Sequence, residues 1–354
     1  MDILKPHLVY IDGRCYRINN TDFELGTEKP SGSSWDEQND LYDDDTQLVE
    51  CPIEVDFEIM TTENGRFKTI FHVSRAYYAA VIGAKGATLK RIEGETKTKI
   101  RIPQRQSTDQ DVVITGSTKS AVASARQRIS LIVMSYRRKQ PFTHFLSLPI
   151  ASKSVKDGFL DFKKQVLETC QGRGVEESIF QNPDKLHLTI GTLVLTDNVE
   201  RNRASDVLMD CKHNLIDPLL NHNSLNICLE GIEYMNDDPS EVDVLYAKIS
   251  VQQGDHFLQE LMDSIVNFFS DSGLMDKQYE RVKLHVTIMN TLFRESNSRT
   301  RETFNASPIL EKFRNFFFGE AIIDEVHLSQ RYSSSKTGYY QATAIVTISL
   351  SDRR

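Results

Sequence analysis

Hydrophobic positions along this chain change period repeatedly, and each change marks an element. Residues 8–18, LVYIDGRCYRI, hold two short β-prone runs around Asp12-Gly13, the dipeptide that a tight type I′ turn requires, and predict a hairpin. From residue 66 the pattern predicts strand 66–73, helices 74–83 and 88–95, strands 97–104 and 111–116, and a long helix 119–136. Their order is β-α-α-β-β-α. Beyond Pro141 it predicts a mixed α/β domain, with strands over 143–150, 186–195, 224–235, 243–251, 282–293, 321–330 and 339–350. Helices are predicted over 155–170, 199–216 and 256–273. The two halves of this domain share a similar element order, as if one lobe had been repeated.

The repeat is sharpest in six letters. KLHLTI occupies 185–190 and KLHVTI occupies 283–288. Strand side chains point alternately to opposite faces, so Leu186, Leu188 and Ile190, and then Leu284, Val286 and Ile288, are predicted core. The other face presents Lys185, His187 and Thr189 in one copy and Lys283, His285 and Thr287 in the other. With the lobes related by a pseudo-twofold, the two rows face each other across a cleft.

A second motif lies between the first two predicted helices of the 66–136 region. Gly83, Ala84, Lys85 and Gly86 let the chain turn sharply and bring backbone N–H groups toward phosphate, with Lys85 adding charge. Flanked by Ile82, Leu89 and Ile92, and followed by a basic-apolar strand, the stretch resembles a KH domain of the eukaryotic type over residues 55–136. The resemblance implies a groove for about four unpaired nucleotides, with Gly83 to Gly86 clamping the backbone. Lys90, Arg91, Lys99 and Arg101 are the candidate groove edges. A KH module used only for protein contacts is the competing reading.

Composition changes this picture in three places. A net charge of −8 counts against nucleic acid as a partner, but the charge is unevenly spread. Between Asp22 and Glu50 ten acids stand against the single Lys29, which predicts a disordered or loosely held segment over 21–54. Trp35, the only tryptophan, could anchor a partner there, or the acids could shield a basic groove. Five scattered cysteines without a CxxC pair predict neither a disulfide framework nor a zinc site, and fit a reducing compartment. No signal peptide and no membrane-length apolar run is visible, so no membrane association is expected. Arg137-Arg138-Lys139 closes the last KH helix and opens a linker over 137–141, as helix-end charge or as a weak nuclear signal.

The paired rows point to chemistry. Two imidazoles that titrate near neutrality suit an acid–base pair, threonine hydroxyls suit non-bridging phosphate oxygens, and lysines add positive potential. Phosphodiester cleavage or cyclic-phosphate hydrolysis fits. No carboxylate cluster accompanies either histidine, so neither a metal nor a cofactor is expected. The pattern resembles the two-histidine phosphoesterase superfamily, whose signature is a paired H-x-[T/S]-x, and within it the branch of anchoring-protein and RNA-ligase-like domains. EVHLSQRYSSSKTGYYQATA (325–344) resembles that branch's terminal hairpin, which implies Arg331 and Tyr339 at the border of the substrate.

The expected fold is α+β. A hairpin (1–20) and the acidic segment (21–54) precede the KH domain (55–136), and the linker (137–141) leads to a bilobal two-histidine phosphoesterase domain (142–354), antiparallel sheets lining a central cleft. A KH domain ahead of such a phosphoesterase resembles subunits of a nuclear transcription-coactivator complex. That resemblance implies a nuclear location, helicase and ubiquitin-binding subunits as partners, and roles in transcription and alkylation-damage repair. The leading reading is an RNA-binding protein with a metal-independent phosphodiesterase or 2′,3′-cyclic phosphate site, single-stranded RNA being the partner and single-stranded DNA left open. The competing reading is a non-catalytic adaptor whose groove and cleft only recognise nucleic acid and recruit partners. Sequence does not assign which histidine is acid and which is base.

Overall fold

The computed structural model describes residues 7–11, 14–18, 57–104, 111–150, 152–221, 223–251, 254–277, 279–294 and 301–348. The acidic segment with Trp35 lies outside these residues. Strands β1 (His7–Ile11) and β2 (Arg14–Ile18) pair antiparallel with Ile11 opposite Arg14, which leaves a two-residue connection, as the Asp-Gly dipeptide predicts. This hairpin belongs to a different unit from residues 54–354.

The first part of the larger unit follows the predicted order. A short strand β3 (Met60–Thr61) leads into β4 (Phe67–His72), α1 (Tyr78–Ile82), α2 (Ala87–Thr96), β5 (Thr98–Arg101), β6 (Asp111–Gly116) and α3 (Lys119–Arg137). The sheet is antiparallel in the order β3-β4-β6-β5. Its inward residues Ile100, Val112 and Ile114 meet Tyr77, Val81, Ile92, Val122 and Ile129 from the helical layer in one core. Thr118 starts α3 by accepting the Ala121 N–H at 3.2 Å.

The second part holds β7 (His144–Pro149), α4 (Lys153–Thr169), β8 (His187–Leu193), α5 (Asn198–Cys211), a π-helical turn (Lys212–Ile216) and α6 (Asp217–Leu220). After these come β9 (Leu225–Tyr234), β10 (Val244–Val251), α7 (Asp255–Asp271), β11 (Val286–Asn290), α8 (Ser307–Phe313), β12 (Phe317–Ile323), β13 (Glu325–Gln330) and β14 (Ala342–Thr347). All eight strands form one antiparallel sheet, ordered β12-β9-β10-β11-β8-β7-β13-β14. Outward from the central pair β8 and β11, each position on one side has a counterpart on the other. The sheet therefore has the two-lobed form the hexapeptide repeat predicts.

Two details differ from the predicted elements. The single strand expected over 321–330 is two strands, split at Asp324: β12 closes the second lobe and β13 opens the outer part of the first. One connecting residue between strands so far apart in the sheet requires the sheet to curl until its ends approach. The helix α8 was not predicted. It ends in an aromatic cluster, Phe162, Phe313, Phe316 and Phe318, by which α4 packs against β12. Gly158 permits that approach, because a Cβ there would stand 1.9 Å from the Phe318 carbonyl oxygen.

The stretch expected as a linker takes part in a polar junction instead. Arg137, at the end of α3, forms an ion pair with Glu200 in the first turn of α5, and both side chains are largely buried. Glu200 also accepts the Thr196 N–H at 2.7 Å, Thr196 Oγ1 donates to Ser74 Oγ at 2.7 Å, and His72 Nε2 lies 2.9 Å from Asp197, the N-cap of α5. Arg138 pairs with Asp276 at 2.8 Å. Removing either partner of the Arg137–Glu200 pair would leave a buried charge unmatched, so this junction holds the two parts in one geometry.

Candidate active site

The two hexapeptide strands are neighbours. In the sheet, β8 and β11 share one rung, Leu188 opposite Val286, and the segment before β8 adds a bridge from Phe180 to Met289 and a hydrogen bond from Gln181 N–H to Ile288 O. Leu186, Leu188, Ile190, Val286 and Ile288 are buried as the alternation requires, with Leu284 only partly so. Past the shared rung no pairing continues. A cleft of about 190 Å³ opens there, lined by Thr189, Thr192, Tyr279, Lys283 and His285, with Val266 and Met275 as apolar wall; His187 and Thr287 are not among its lining residues. Thr189 stands opposite Ser147 in the register, and Thr287 opposite Tyr246.

The histidines are oriented alike. His187 Nδ1 lies 2.7 Å from the Lys185 carbonyl oxygen, and His285 Nδ1 lies 2.6 Å from that of Lys283. A carbonyl oxygen only accepts, so in each ring Nδ1 carries the proton and donates it. The neutral ring is thereby left with a bare, accepting Nε2. Burial pushes the His187 pKa down to about 4, opposed by the carbonyl bond, and the nearby charge of His285 lowers it further. His285 is also lowered, chiefly by burial, with Lys283 adding repulsion. At neutral pH both imidazoles are neutral.

Of the two motif lysines, Lys283 lines the cleft and Lys185 does not. Lys185 Nζ sits 4.8 Å from the Tyr340 ring centroid and donates to Ser333 O at 3.1 Å, while Lys283 Nζ sits 5.0 Å from the Tyr246 ring centroid. Each of these tyrosines also meets the histidine of its own motif edge-on, Tyr340 at 5.4 Å from His187 and Tyr246 at 5.6 Å from His285. Sequence reasoning missed both tyrosines. Tyr340 carries a faint signal, as the neighbour of Tyr339 in the terminal hairpin motif.

Tyr339 itself is buried, with its hydroxyl 2.9 Å from Ser147 Oγ, which in turn lies 3.2 Å from Ser329 Oγ. It supports the first wall from within, its ring centroid 6.3 Å from that of His187. Arg331 lies at the other end of β7 from the register of His187, its backbone N–H bonded to Thr143 O at 2.9 Å. Phe142 and Phe145 stand between its guanidinium and His187.

In the first part, Gly83, Lys85 and Gly86 all take positive φ, at 72°, 51° and 77°. A Cβ on Gly83 would stand 2.2 Å from Thr88 Oγ1, so only glycine fits there. Ala84 and Lys85 form the exposed tip. Lys90, Arg91, Lys99 and Arg101 are exposed on α2 and β5, but Arg91 faces Glu95 at 3.7 Å and Lys99 faces Glu93 at 3.4 Å. Among the described residues Lys85 and Lys90 make no ion pair, and they are the cations most available to phosphate.

A model of the AKAP7 2′5′ RNA ligase-like domain matches residues 142–348. The chain belongs to the AKAP7 2′5′ RNA ligase-like domain family. A KH domain model matches residues 68–131 ahead of it. This member of the AKAP7 2′5′ RNA ligase-like domain family is 39% identical to "Activating signal cointegrator 1 complex subunit 1" of Mus musculus, over 366 aligned positions covering 99% of this chain and 100% of that protein. It is 24% identical to the "Uncharacterized protein C15D4.13c" of Schizosaccharomyces pombe, over 217 positions covering 60% of this chain and 100% of that one. The crystal structure of E. coli LigT complexed with 3′-AMP aligns at 12% identity and a TM-score of 0.35, covering 59% of this chain and 98% of that one. Among the described residues no cluster of His, Cys, Asp and Glu is placed to hold a metal, and no helix is long and apolar enough to cross a membrane.

Proposed function

We propose that this chain binds single-stranded RNA through its KH groove and acts, without a metal, on a phosphodiester or 2′,3′-cyclic end of RNA in the cleft between its two HxT strands. The observation that carries the proposal is the matched pair of Nε2 acceptors, each set by a backbone carbonyl two residues back. His187, packed among Phe145, Tyr339 and Tyr340 and held neutral, is the base. Its Nε2 takes a proton from water as the water oxygen attacks phosphorus. His285, protonated as the anion arrives, gives its Nε2 proton to the ribose oxygen as the P–O bond breaks. Thr189 and Thr287 donate their hydroxyls to non-bridging oxygens.

The test is turnover of short RNAs with cyclic or linear ends in the absence of metal, comparing the wild-type chain with His187→Ala and His285→Ala. The expected result is a bell-shaped pH profile and a loss of at least about a hundredfold in each variant. Undiminished turnover in either variant ends the paired-histidine mechanism. Tight RNA binding by the wild type with no turnover on any end makes the chain an adaptor instead.

The similarity to the mouse complex subunit supports a wider proposal. The chain acts within a cointegrator complex in the nucleus, with helicase and ubiquitin-binding subunits as partners and roles in transcription and alkylation-damage repair. Failure of tagged chain to co-purify with those two subunits from nuclear extract would remove this part alone.

A further inference from the structure

An aromatic ladder runs from the first catalytic histidine to the surface and ends in two unusual residues. His187 meets Phe145 at 5.2 Å between ring centroids, and Phe145 meets Phe142 at 6.5 Å. The Arg331 guanidinium then lies between two rings, 4.0 Å from the Phe142 centroid and 4.3 Å from that of Tyr332. Among the described residues this half-buried guanidinium has no carboxylate partner, only a long bond to Phe142 O at 3.4 Å. A guanidinium over two ring faces and without a carboxylate partner keeps N–H donors for an incoming anion. Tyr332 is the second anomaly: its φ is +58°, a conformation costly for a bulky residue, and its ring is 86% exposed. Glycine or asparagine would make the same turn with less strain, and the contact of this exposed ring is the one with Arg331.

From these two independent oddities we infer that Tyr332, Arg331 and Phe142 form a second nucleotide subsite, which takes the base and phosphate of the residue next to the one held between the histidines. Tyr332 offers a stacking face and Arg331 a fixed charge beside it, the combination that binds single-stranded nucleic acid without reading sequence. This rests on the phosphoesterase reading of the cleft and narrows it: the ligand is an RNA end of two or more nucleotides, not a free mononucleotide. The ladder places the subsite on the side of β7 remote from Lys185, along the wall that His187 belongs to.

The experiment uses the full chain, a uridine 3′-phosphate and the UpU and UpUpU oligomers bearing the same 3′-phosphate, with affinities measured by calorimetry. The wild type is expected to bind UpU on the order of tenfold more tightly than the mononucleotide, the size of one base–aromatic stack. Tyr332→Gly relieves the backbone, keeps the thermal midpoint at or above that of wild type, leaves the mononucleotide affinity within about twofold, and loses the gain from the second nucleotide. Arg331→Met loses the same gain and weakens its salt dependence. Mononucleotide binding with no gain for UpU in the wild type, or a gain that survives in Tyr332→Gly, overturns the subsite and leaves the cleft reading standing. Binding of none of the three ligands sinks both.

Discussion

Lys185 holds its ammonium 4.8 Å from the centre of the Tyr340 ring, and the pair repeats on the other wall as Lys283 and Tyr246 at 5.0 Å. The carbonyl groups of those same lysines receive the Nδ1 protons of His187 and His285. Each lysine therefore has two jobs at once: its side chain is clasped by a tyrosine, and its backbone aims a histidine.

Loosening one clasp should disturb the histidine without unfolding the wall. Tyr340→Leu is expected to lower kcat about tenfold with little change in KM, while Lys185→Arg keeps activity and Lys185→Met loses it as Tyr340→Leu does. Nitrogen chemical shifts of His187 check the cause, since a freed ring populates both neutral tautomers. An unchanged tautomer in Tyr340→Leu would leave the clasp with a packing role only.

Binding a phosphate anion should draw protons from solution. Both histidines are neutral at pH 7, because burial lowers both and His187 to about 4. An anion between them favours their charged forms and raises both pKa values. Calorimetry in buffers of differing ionisation enthalpy should show net uptake of up to about one proton near pH 7, absent in His285→Ala.

Acid should weaken the fold through buried imidazoles. His144 is 5% exposed and its pKa is pushed down to about 4, first by burial and then by Arg201. A depressed histidine pKa means the unfolded chain takes up a proton that the folded chain refuses. Stability is full above the unfolded value near 6.5 and falls as pH drops from there to about 4, by on the order of 3 kcal/mol for this one group. His144→Phe should flatten the slope of urea midpoint against pH across that window, whatever it does to stability at pH 7.

The GxxG loop gives a graded test. Gly83→Ala meets Thr88 at 2.2 Å on top of a positive φ, and should cost roughly 2–4 kcal/mol. Gly86→Ala pays only the backbone conformation, about 1–2 kcal/mol, since nothing lies within 4 Å of its Cβ. Ala84→Asp with Lys85→Asp should leave the melting temperature near wild type while abolishing RNA binding. RNA affinity that persists in this double variant would move the RNA site away from the KH groove.

What the sequence revealed was whatever local periodicity determines. The hexapeptides, the Asp-Gly hairpin and the GxxG turn are short-range statements, and each is met by Leu188 and Val286 in the core, Ile11 opposite Arg14, and Lys85 at φ 51°. What stayed hidden depends on distant partners. Asp324 reads as one residue of a continuous strand, and only curling of the whole sheet makes it a crossing between lobes. Tyr246 lies 39 positions from His285 and Tyr340 lies 153 from His187, so nothing in either neighbourhood announces the clasp. Nor does the run at Arg137 and Arg138 reveal that its charges are matched by Glu200 and Asp276.

The single rung between Leu188 and Val286 has a diagnostic consequence. The strands that carry the two histidines share only this rung within one continuous sheet and core, so a substitution far from the cleft can shift one wall against the other while every melting curve stays normal. For this protein, harm is then a matter of alignment rather than of folding. Variants that look sound by abundance and thermal denaturation should be sorted by the distance between the two Nε2 atoms, a property that only measurements across the cleft register.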